Sequence, residues 1–298
     1  MADLVYMMIL YKNLAQALRV IDRLDGPHVS FVIHIDRKTD SSFVRAARTA
    51  LADRRNCHFI DRLNVHWAAW GLVQVQLDGA RYVEERSIPC DFFIYMSGQD
   101  YPLVPNAVID KHFDGNIGRQ FLEHFALPYA HWPEGGMTRV KSFHFQLGKR
   151  HLTYPPRPDS LPTTLRPLLR VLPMRDRSLP AGYTYFGGSA AITLAANGIS
   201  YINRFVTTPV GRRLVRYFKY ARHADEIFFQ TVFMNSALRD TVVNDDLRYV
   251  DWDPPVGPAP KFLDMSDYEK LRTSGKLFAR KFDTSRDVAI LDALDRQP

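Results

Sequence analysis

A chain of 298 residues is long enough for one large α/β domain or two smaller ones, and its 46% hydrophobic and 24% charged content is that of an ordinary soluble globular enzyme. The net charge of +7 permits attraction to phosphates, anionic lipid or nucleic acid, but the basic residues are dispersed and no recognition-helix or RNA-binding signature accompanies them, so no nucleic-acid partner is expected. Cys57 and Cys90 form no C-x-x-C pair, which excludes a zinc or redox motif; both are expected to be reduced, buried small apolar residues of a cytosolic protein.

Leu4–Leu10 is a continuous apolar run and predicts a fully buried first strand. Residues 1–10 carry no cationic region and no cleavage site, and no apolar run anywhere reaches about 18 residues. The expected location is the cytoplasm, with at most a peripheral place at the inner face of the plasma membrane. Asn13 can cap a helix to Leu24, with Leu14, Ala17, Leu18, Ile21 and Leu24 on one face and Asp25-Gly26-Pro27 as its stop. Val29–Ile35 predicts a second buried strand with Asp36 at its carboxyl end. A helix over 41–54, a short strand over 57–60, a helix over 70–86 and a strand over 91–96 follow. The last strand runs into Ser97-Gly98-Gln99-Asp100-Tyr101-Pro102.

From 126 to 180 proline becomes frequent and alternates with aromatics and arginines, as in Tyr154-Pro155-Pro156-Arg157-Pro158, which predicts a loop-rich insertion. Residues 182–194 return to strand-like order around a Gly187-Gly188-Ser189 bend, read either as a close backbone approach to a ligand or as a β-bulge. Helices over 195–205 and 209–222, a helix from Ala224, a strand over 247–252 and a terminal helix over 283–295 complete the chain.

Alternating strands and helices in the first third predict a parallel, doubly wound sheet. Ligands bind such sheets outside the carboxyl ends of the strands. Asp36, the 66–71 segment and Ser97-Gly98-Gln99-Asp100 all fall at such ends. Taken singly, each is as well explained as a cap or a tight loop; together they favour a nucleotide or sugar site. No G-x-G-x-x-G follows the first strand and no G-x-x-x-x-G-K-[ST] occurs, which disfavours a dinucleotide dehydrogenase or a P-loop enzyme.

His223-Ala224-Asp225-Glu226-Ile227-Phe228-Phe229-Gln230-Thr231 places two carboxylates before an apolar run. Acidic residues are favoured in the first turn of a helix, so on these residues alone the stretch reads first as a plain helix start. Ile227, Phe228, Val232 and Phe233 would then form its one buried face. Carboxylates at the lip of an apolar helix also suit a general base.

Several blocks in the same order along the chain resemble a known family. They are Tyr11-Lys12-Asn13, His34-Ile35-Asp36, Trp70-Gly71, Ser97-Gly98-Gln99-Asp100-Tyr101-Pro102-Leu103, the Asp225-Glu226 block, Leu247-Arg248-Tyr249 with Asp251-Trp252, and Leu277-Phe278-Ala279-Arg280-Lys281-Phe282-Asp283. Together they resemble the core-2/I-branching β-1,6-N-acetylglucosaminyltransferases, glycosyltransferase family 14, which also holds the peptide O-xylosyltransferases. The resemblance implies an α/β, GT-A type fold with a Rossmann-like mixed sheet flanked by helices. It implies a single GT-A domain over 1–298: a nucleotide-binding half (1–125), the loop-rich insertion (126–180), and an acceptor-binding and catalytic half (181–298). Few cysteines and no signal anchor suggest a bacterial-type member.

The activity implied is inverting transfer of a sugar, N-acetylglucosamine or xylose, from a UDP-sugar to a hydroxyl of a glycan or lipid-linked glycan. Such a displacement needs a base on the acceptor and positive charge on the departing diphosphate. The resemblance makes Glu226 the base and Asp225 its structural neighbour, capping the helix or orienting a partner. It implies no divalent metal and no other cofactor, since the diphosphate is met by basic side chains, Lys281 and, on a looser match, Lys261. Ser97-Gly98-Gln99-Asp100 offers a single carboxylate, poor for a hard cation, and the Asp-x-Asp at Asp251-Trp252-Asp253 is not expected to hold one. Asp36 matches the uridine contact, with Tyr11, Trp70, Gly188 and Ser189 completing the nucleotide pocket. Asp100 orders its loop or touches the donor sugar, and Arg248 and Trp252 are expected on the acceptor. His34 is expected to be a packed strand histidine. A glycoside hydrolase and a non-catalytic UDP- or sugar-binding module are the alternatives.

Overall fold

β1 (Leu4–Leu10) and β2 (Val29–Ile35) are apolar runs with little polar alternation, the composition of strands covered on both faces. The computed structural model describes residues 1–147, 150–155, 177–178, 180–252 and 259–297. In it β1 and β2 are parallel, with Leu4 opposite Val29. Between them runs α1 (Leu14–Leu24), whose start is fixed by the Asn13 side-chain oxygen accepting the Gln16 N–H at 3.3 Å. Asp40 caps α2 (Ser41–Ala50) in the same way, accepting from Ser42 N–H at 2.7 Å. β3 (Cys57–Phe59) extends the sheet beyond β2. α3 (Gly71–Glu85) then leads into β4 (Phe92–Ser97), which pairs in parallel with the other side of β1.

The chain next leaves this sheet. β5 (Asp100–Pro102) follows β4 after two residues, then α4 (Asn106–Asp114), β6 (Gln120–Phe121) and β7 (Phe125–Ala126). The segment expected as a loop-rich insertion holds, among its described residues, a short α5 (Thr138–Lys141) and the hairpin of β8 (Phe143–Leu147) with β9 (Arg150–Tyr154). Pro156, Arg157, Pro158 and the basic 166–176 stretch lie outside the described residues. β10 (Phe186–Gly187) pairs with β7, and β11 (Thr193–Ala195) runs antiparallel to β4. α6 (Ala196–Thr207), α7 (Pro209–Phe218) and α8 (Phe228–Met234) follow, then β12 (Val242–Val243). The main sheet has the order β12-β6-β11-β4-β1-β2-β3. It is mixed rather than purely parallel, because β11 returns against β4 in the opposite sense.

Side-chain alternation along β1 assigns the two faces. Leu4, Tyr6, Met8 and Leu10 share a core with Ala17, Val20 and Ile21 of α1 and Ile109 and Phe113 of α4. Val5, Met7 and Ile9 share the other with Val73 and Val83 of α3, Ile202 of α6 and Phe228 of α8. α10 (Ala289–Asp295), half the length expected for the terminal helix, packs Ile290 and Leu291 into the first core.

β13 (Arg248–Val250), α9 (Tyr268–Thr273) and β14 (Phe278–Arg280) lie between β12 and α10. β5, expected only as a loop, forms with β13 and β14 a second sheet of order β13-β14-β5, in which Arg280 stands opposite Asp100. This small sheet brings the end of the chain to the carboxyl end of β4.

The acidic stretch differs most from expectation. His223 is in the left-handed region (φ 51°), Ala224–Glu226 is a single 3₁₀ turn, and Ile227 (φ −135°) breaks the chain before α8 begins. Asp225 makes no capping bond, and all seven residues of α8 are buried, so it has no single apolar face.

Candidate active site

The strand ends converge as the sheet topology requires. Leu10 carbonyl accepts from Asp36 N–H at 3.0 Å, and Ile9 carbonyl accepts from Gly98 N–H at 3.2 Å. Asp100 is buried, and its Oδ2 accepts from both the Ser97 N–H and the Ser97 hydroxyl at 2.6 Å. It therefore orders the turn after β4. The Tyr11 hydroxyl donates to Gln99 Oε1 at 2.5 Å, while Gln99 carbonyl accepts from Phe282 N–H at 2.9 Å. Asp36 accepts from the Lys38 N–H at 2.9 Å and pairs with its ammonium at 2.7 Å. His34 is the packed strand histidine expected: its Nε2 accepts from Leu63 N–H at 2.9 Å, and burial pushes its pKa down to about 4.

Arg248 is corrected by the structure. Its side chain has no exposure, and its guanidinium is spent on the carbonyls of Tyr95 (2.7 Å) and Asp246 (2.9 Å), within 4.0 Å of Asp100. It supports the β4–β5 turn from beneath and offers nothing to an acceptor. Trp252, in contrast, is exposed, and its neighbour Asp253 lies outside the described residues.

A group of cations stands on the Tyr11 side. The Phe262 ring carries Lys281 Nζ at 4.1 Å, the Arg286 guanidinium at 4.1 Å and Lys12 Nζ at 5.6 Å. Lys12 also pairs with Asp283 at 2.8 Å, a bond that holds the Asp283 carboxyl down at about 2. Desolvation, together with the charges of Arg280, Lys12 and Arg286, pushes the Lys281 ammonium below its usual range. An arriving dianion would relieve that repulsion. Lys261 differs: its ammonium is already paired with buried Asp267 at 2.7 Å. Sequence reasoning named Lys281 but missed Lys12, Arg280 and Arg286. Lys12 and Arg280 lay inside quoted blocks; what brings them together is Phe262 and the β5–β14 pairing, which no local pattern reveals.

The carboxyl pair stands on a separate element, the 3₁₀ turn before α8. Glu226 forms an ion pair with Arg139, itself stacked 3.7 Å from the Trp132 ring, and Glu226 Oε1 lies 3.5 Å from His223 Nδ1. Burial pushes the Glu226 carboxyl up, but His223 and Arg139 push it down and prevail. Asp225 is buried and its Oδ1 has no hydrogen-bond partner among the described residues. Burial and the Glu226 charge push its pKa up to about 7, against the opposing pull of Arg139 and Arg280. Tyr95 of β4 is buried, and burial raises its phenol pKa, as do Asp225 and Asp100, while Arg280 lowers it.

Gly188 and Ser189 serve this turn. Gly188 N–H donates to the Glu226 carbonyl at 2.9 Å, and the Gln230 amide donates to the Ser189 carbonyl at 2.7 Å. A Cβ on Gly188 would sit 1.8 Å from the Glu123 carbonyl oxygen. The close approach expected of this glycine is thus to backbone. Trp70 packs its ring edge on Phe228 at 5.2 Å and donates its indole N–H to Gln74 at 3.0 Å. Among the described residues, no group of three or more His, Cys, Asp or Glu is placed to hold a metal ion.

Comparison with known proteins adds the family. Beta-glucuronosyltransferase GlcAT14A of Arabidopsis thaliana is 27% identical over 93% of this chain and 60% of its own length. Human xylosyltransferase 2 is 23% identical over 97% of this chain and 33% of its own length. The chain thus spans one third to three fifths of these two relatives. Among solved structures, apo mouse xyloside xylosyltransferase 1 has a TM-score of 0.39 at 10% identity, covering 93% of this chain and 96% of that one, too slight a likeness to argue from. The Core-2/I-Branching enzyme model matches residues 4–273, nearly the whole chain, and the chain belongs to that family.

Proposed function

We propose that this chain is an inverting, metal-independent glycosyltransferase that moves a sugar from a UDP-sugar to a hydroxyl of a glycan. The observation that carries this reading is the occurrence in one fold of an acidic turn, with Glu226 paired to Arg139 and His223, and of three cations sharing the Phe262 ring, of which Lys12 alone has a carboxylate partner among the described residues. The acceptor oxygen forms its bond to the anomeric carbon as the bond to the diphosphate breaks. The hydroxyl proton passes to Glu226, and the charge left on UDP is met by Lys281, Lys12 and Arg286. A hydroxyl in such a concerted step turns acidic only as its oxygen bonds to carbon, so a carboxylate of low basicity is sufficient. Asp225 as the proton acceptor is the second reading, favoured by its raised pKa and its unpartnered oxygen.

The names of the relatives suggest UDP-glucuronic acid, UDP-xylose and UDP-N-acetylglucosamine as donors to test. In a thermal-shift panel, one of them should stabilise the protein by mass action, equally with and without EDTA. Stabilisation lost in EDTA and restored by Mn²⁺ would overturn the metal-free mechanism. Glu226→Gln should keep UDP binding and lose transfer by about 10²–10⁴-fold; if Asp225→Asn alone does so, the second reading replaces the first.

A further inference from the structure

Charge is unevenly placed along the chain. Residues 135–155 carry four Lys or Arg and residues 196–223 carry six, and neither stretch holds an Asp or Glu. Since the whole chain is only +7, the remaining residues together are net negative. The fold brings the two basic stretches side by side. His144 N–H of β8 donates to the Tyr220 carbonyl at 2.9 Å, and Arg222 N–H donates to the Arg139 carbonyl at 2.9 Å. The β8–β9 hairpin therefore stands against the end of α7. On α7, Arg212, Arg213, Arg216, Lys219 and, just past its end, Tyr220 recur at spacings of three and four and are exposed, while Leu214 and Phe218 are buried behind them. Among the described residues, Arg213, Arg216 and Lys219 pair with no carboxylate.

The hairpin supplies apolar groups beside these cations. Phe145 stands opposite Leu152 in the β8–β9 register, so both side chains leave the same face of the hairpin. They are 38% and 49% exposed, and Tyr220, with its ring 5.5 Å from that of Phe145, is 42% exposed. Arg150, two residues before Leu152 and so on the same face, is exposed and has no carboxylate partner among the described residues. Lys219 lines one cleft with Phe145 and Tyr220, at the edge of the apolar group. Exposed apolar side chains bordered by unpaired cations suit a surface that is anionic outside and apolar beneath. A soluble polyanion would meet the cations and leave Leu152 without an apolar partner. No helix among the described residues is long and apolar enough to cross a membrane, so this contact is made from the bilayer surface.

We propose that the β8–β9 hairpin and the exposed face of α7 form a docking surface for an anionic lipid bilayer. Phe145, Leu152 and Tyr220 enter the headgroup layer, and Arg150, Arg213, Arg216 and Lys219 meet lipid phosphates. Docking brings the acidic turn near the bilayer, since Arg139, joined to Arg222 through the backbone, pairs with Glu226. The surface stands independently of the transfer chemistry. The test is flotation of the whole chain with vesicles of phosphatidylcholine alone and of phosphatidylcholine mixed with phosphatidylglycerol. The protein should float with the mixed vesicles, remain behind with the neutral ones, and be released by high salt. Arg213→Gln and Arg216→Gln should each weaken binding about fivefold, and the double variant Phe145→Ser, Leu152→Ser about tenfold or more. These side chains are exposed, so Tm and calorimetric UDP affinity should match wild type in each variant. Phe145→Trp, which keeps an apolar ring, should shift its added fluorescence to shorter wavelength on mixed vesicles. Equal flotation with neutral vesicles, binding that the glutamine and serine variants leave intact, or Phe145→Trp emission unmoved by vesicles overturns the proposal. Binding of DNA as tight as that of mixed vesicles, and unchanged in the serine variant, would assign the cations to a soluble polyanion instead. Loss of UDP binding by the wild-type protein would remove the transferase reading and leave this surface standing.

Discussion

Asp225 and Glu226 are neighbours in the chain with opposite surroundings. Glu226 has Arg139 and His223 beside it and stays ionised; Asp225 is buried with a bare oxygen and keeps its proton to about pH 7. The sign of the resulting pH dependence is fixed. An unfolded aspartate loses its proton near its ordinary value of 3.8, so between there and about 7 the folded state binds more protons. Stability from this group is therefore fully present at the acid end, declines as pH rises through that window, and stays low above it. Asn has the same shape and does not titrate. Asp225→Asn should thus be close to wild type in Tm near pH 4 and gain on it steadily up to pH 8. A Tm difference constant with pH would mean that Asp225 is ionised throughout. The residues alone made these carboxyls a pair; only the family resemblance ranked Glu226 as the base and Asp225 as its neighbour. Their difference comes from the burial of Asp225 beside the Glu226 charge and from the His223 and Arg139 partners that Glu226 alone has.

The 3₁₀ turn that carries the pair is held in place by a second element. Gly188, between β10 and β11, reaches the Glu226 carbonyl because nothing stands between its backbone and that of Glu123. Gly188→Ala would put a methyl group 1.8 Å from a carbonyl oxygen, and no side-chain rotation relieves a clash with backbone. The expected cost is about 1–3 kcal/mol, read as a lower Tm in thermal unfolding. Transfer should fall further than UDP binding, because the displaced bond ends on Glu226; wild-type Tm and rate would refute this. The β1, β2 and β4 strands and the α1 and α3 helices were legible because continuous apolar runs and amphipathic patterns, capped by Asn13 in α1, are local signals. The second sheet was not legible. β5, β13 and β14 have three residues each, and their pairing joins parts of the chain separated by most of its length. The acidic turn was misread for a related reason: a helical pattern cannot register the left-handed His223 and the break at Ile227 that end the turn after three residues.

Across the whole molecule, the net charge of +7 says little until it is located. Lys261 and Lys281 follow one another closely in the fold, Leu263 N–H donating to the Lys281 carbonyl at 3.0 Å, and carry the same formal charge. Lys261 is neutralised by buried Asp267, whereas Lys281, Lys12 and Arg286 crowd one phenylalanine with Asp283 as the carboxylate paired to Lys12. A diphosphate gains most where cations repel one another before it arrives. Lys281→Ala and Arg286→Ala should therefore each weaken UDP binding about tenfold or more, and more at low salt than at high salt, since exposed charges are screened. Lys261→Ala should leave UDP affinity nearly unchanged and instead lower Tm, because it strands the Asp267 carboxylate in the interior. Calorimetric UDP titrations of the three variants at two salt concentrations separate these outcomes. Loss of UDP binding in Lys261→Ala with none in Lys281→Ala would move the diphosphate away from Phe262 and to Lys261, and would remove Lys281 and Arg286 from the displacement assigned to Glu226.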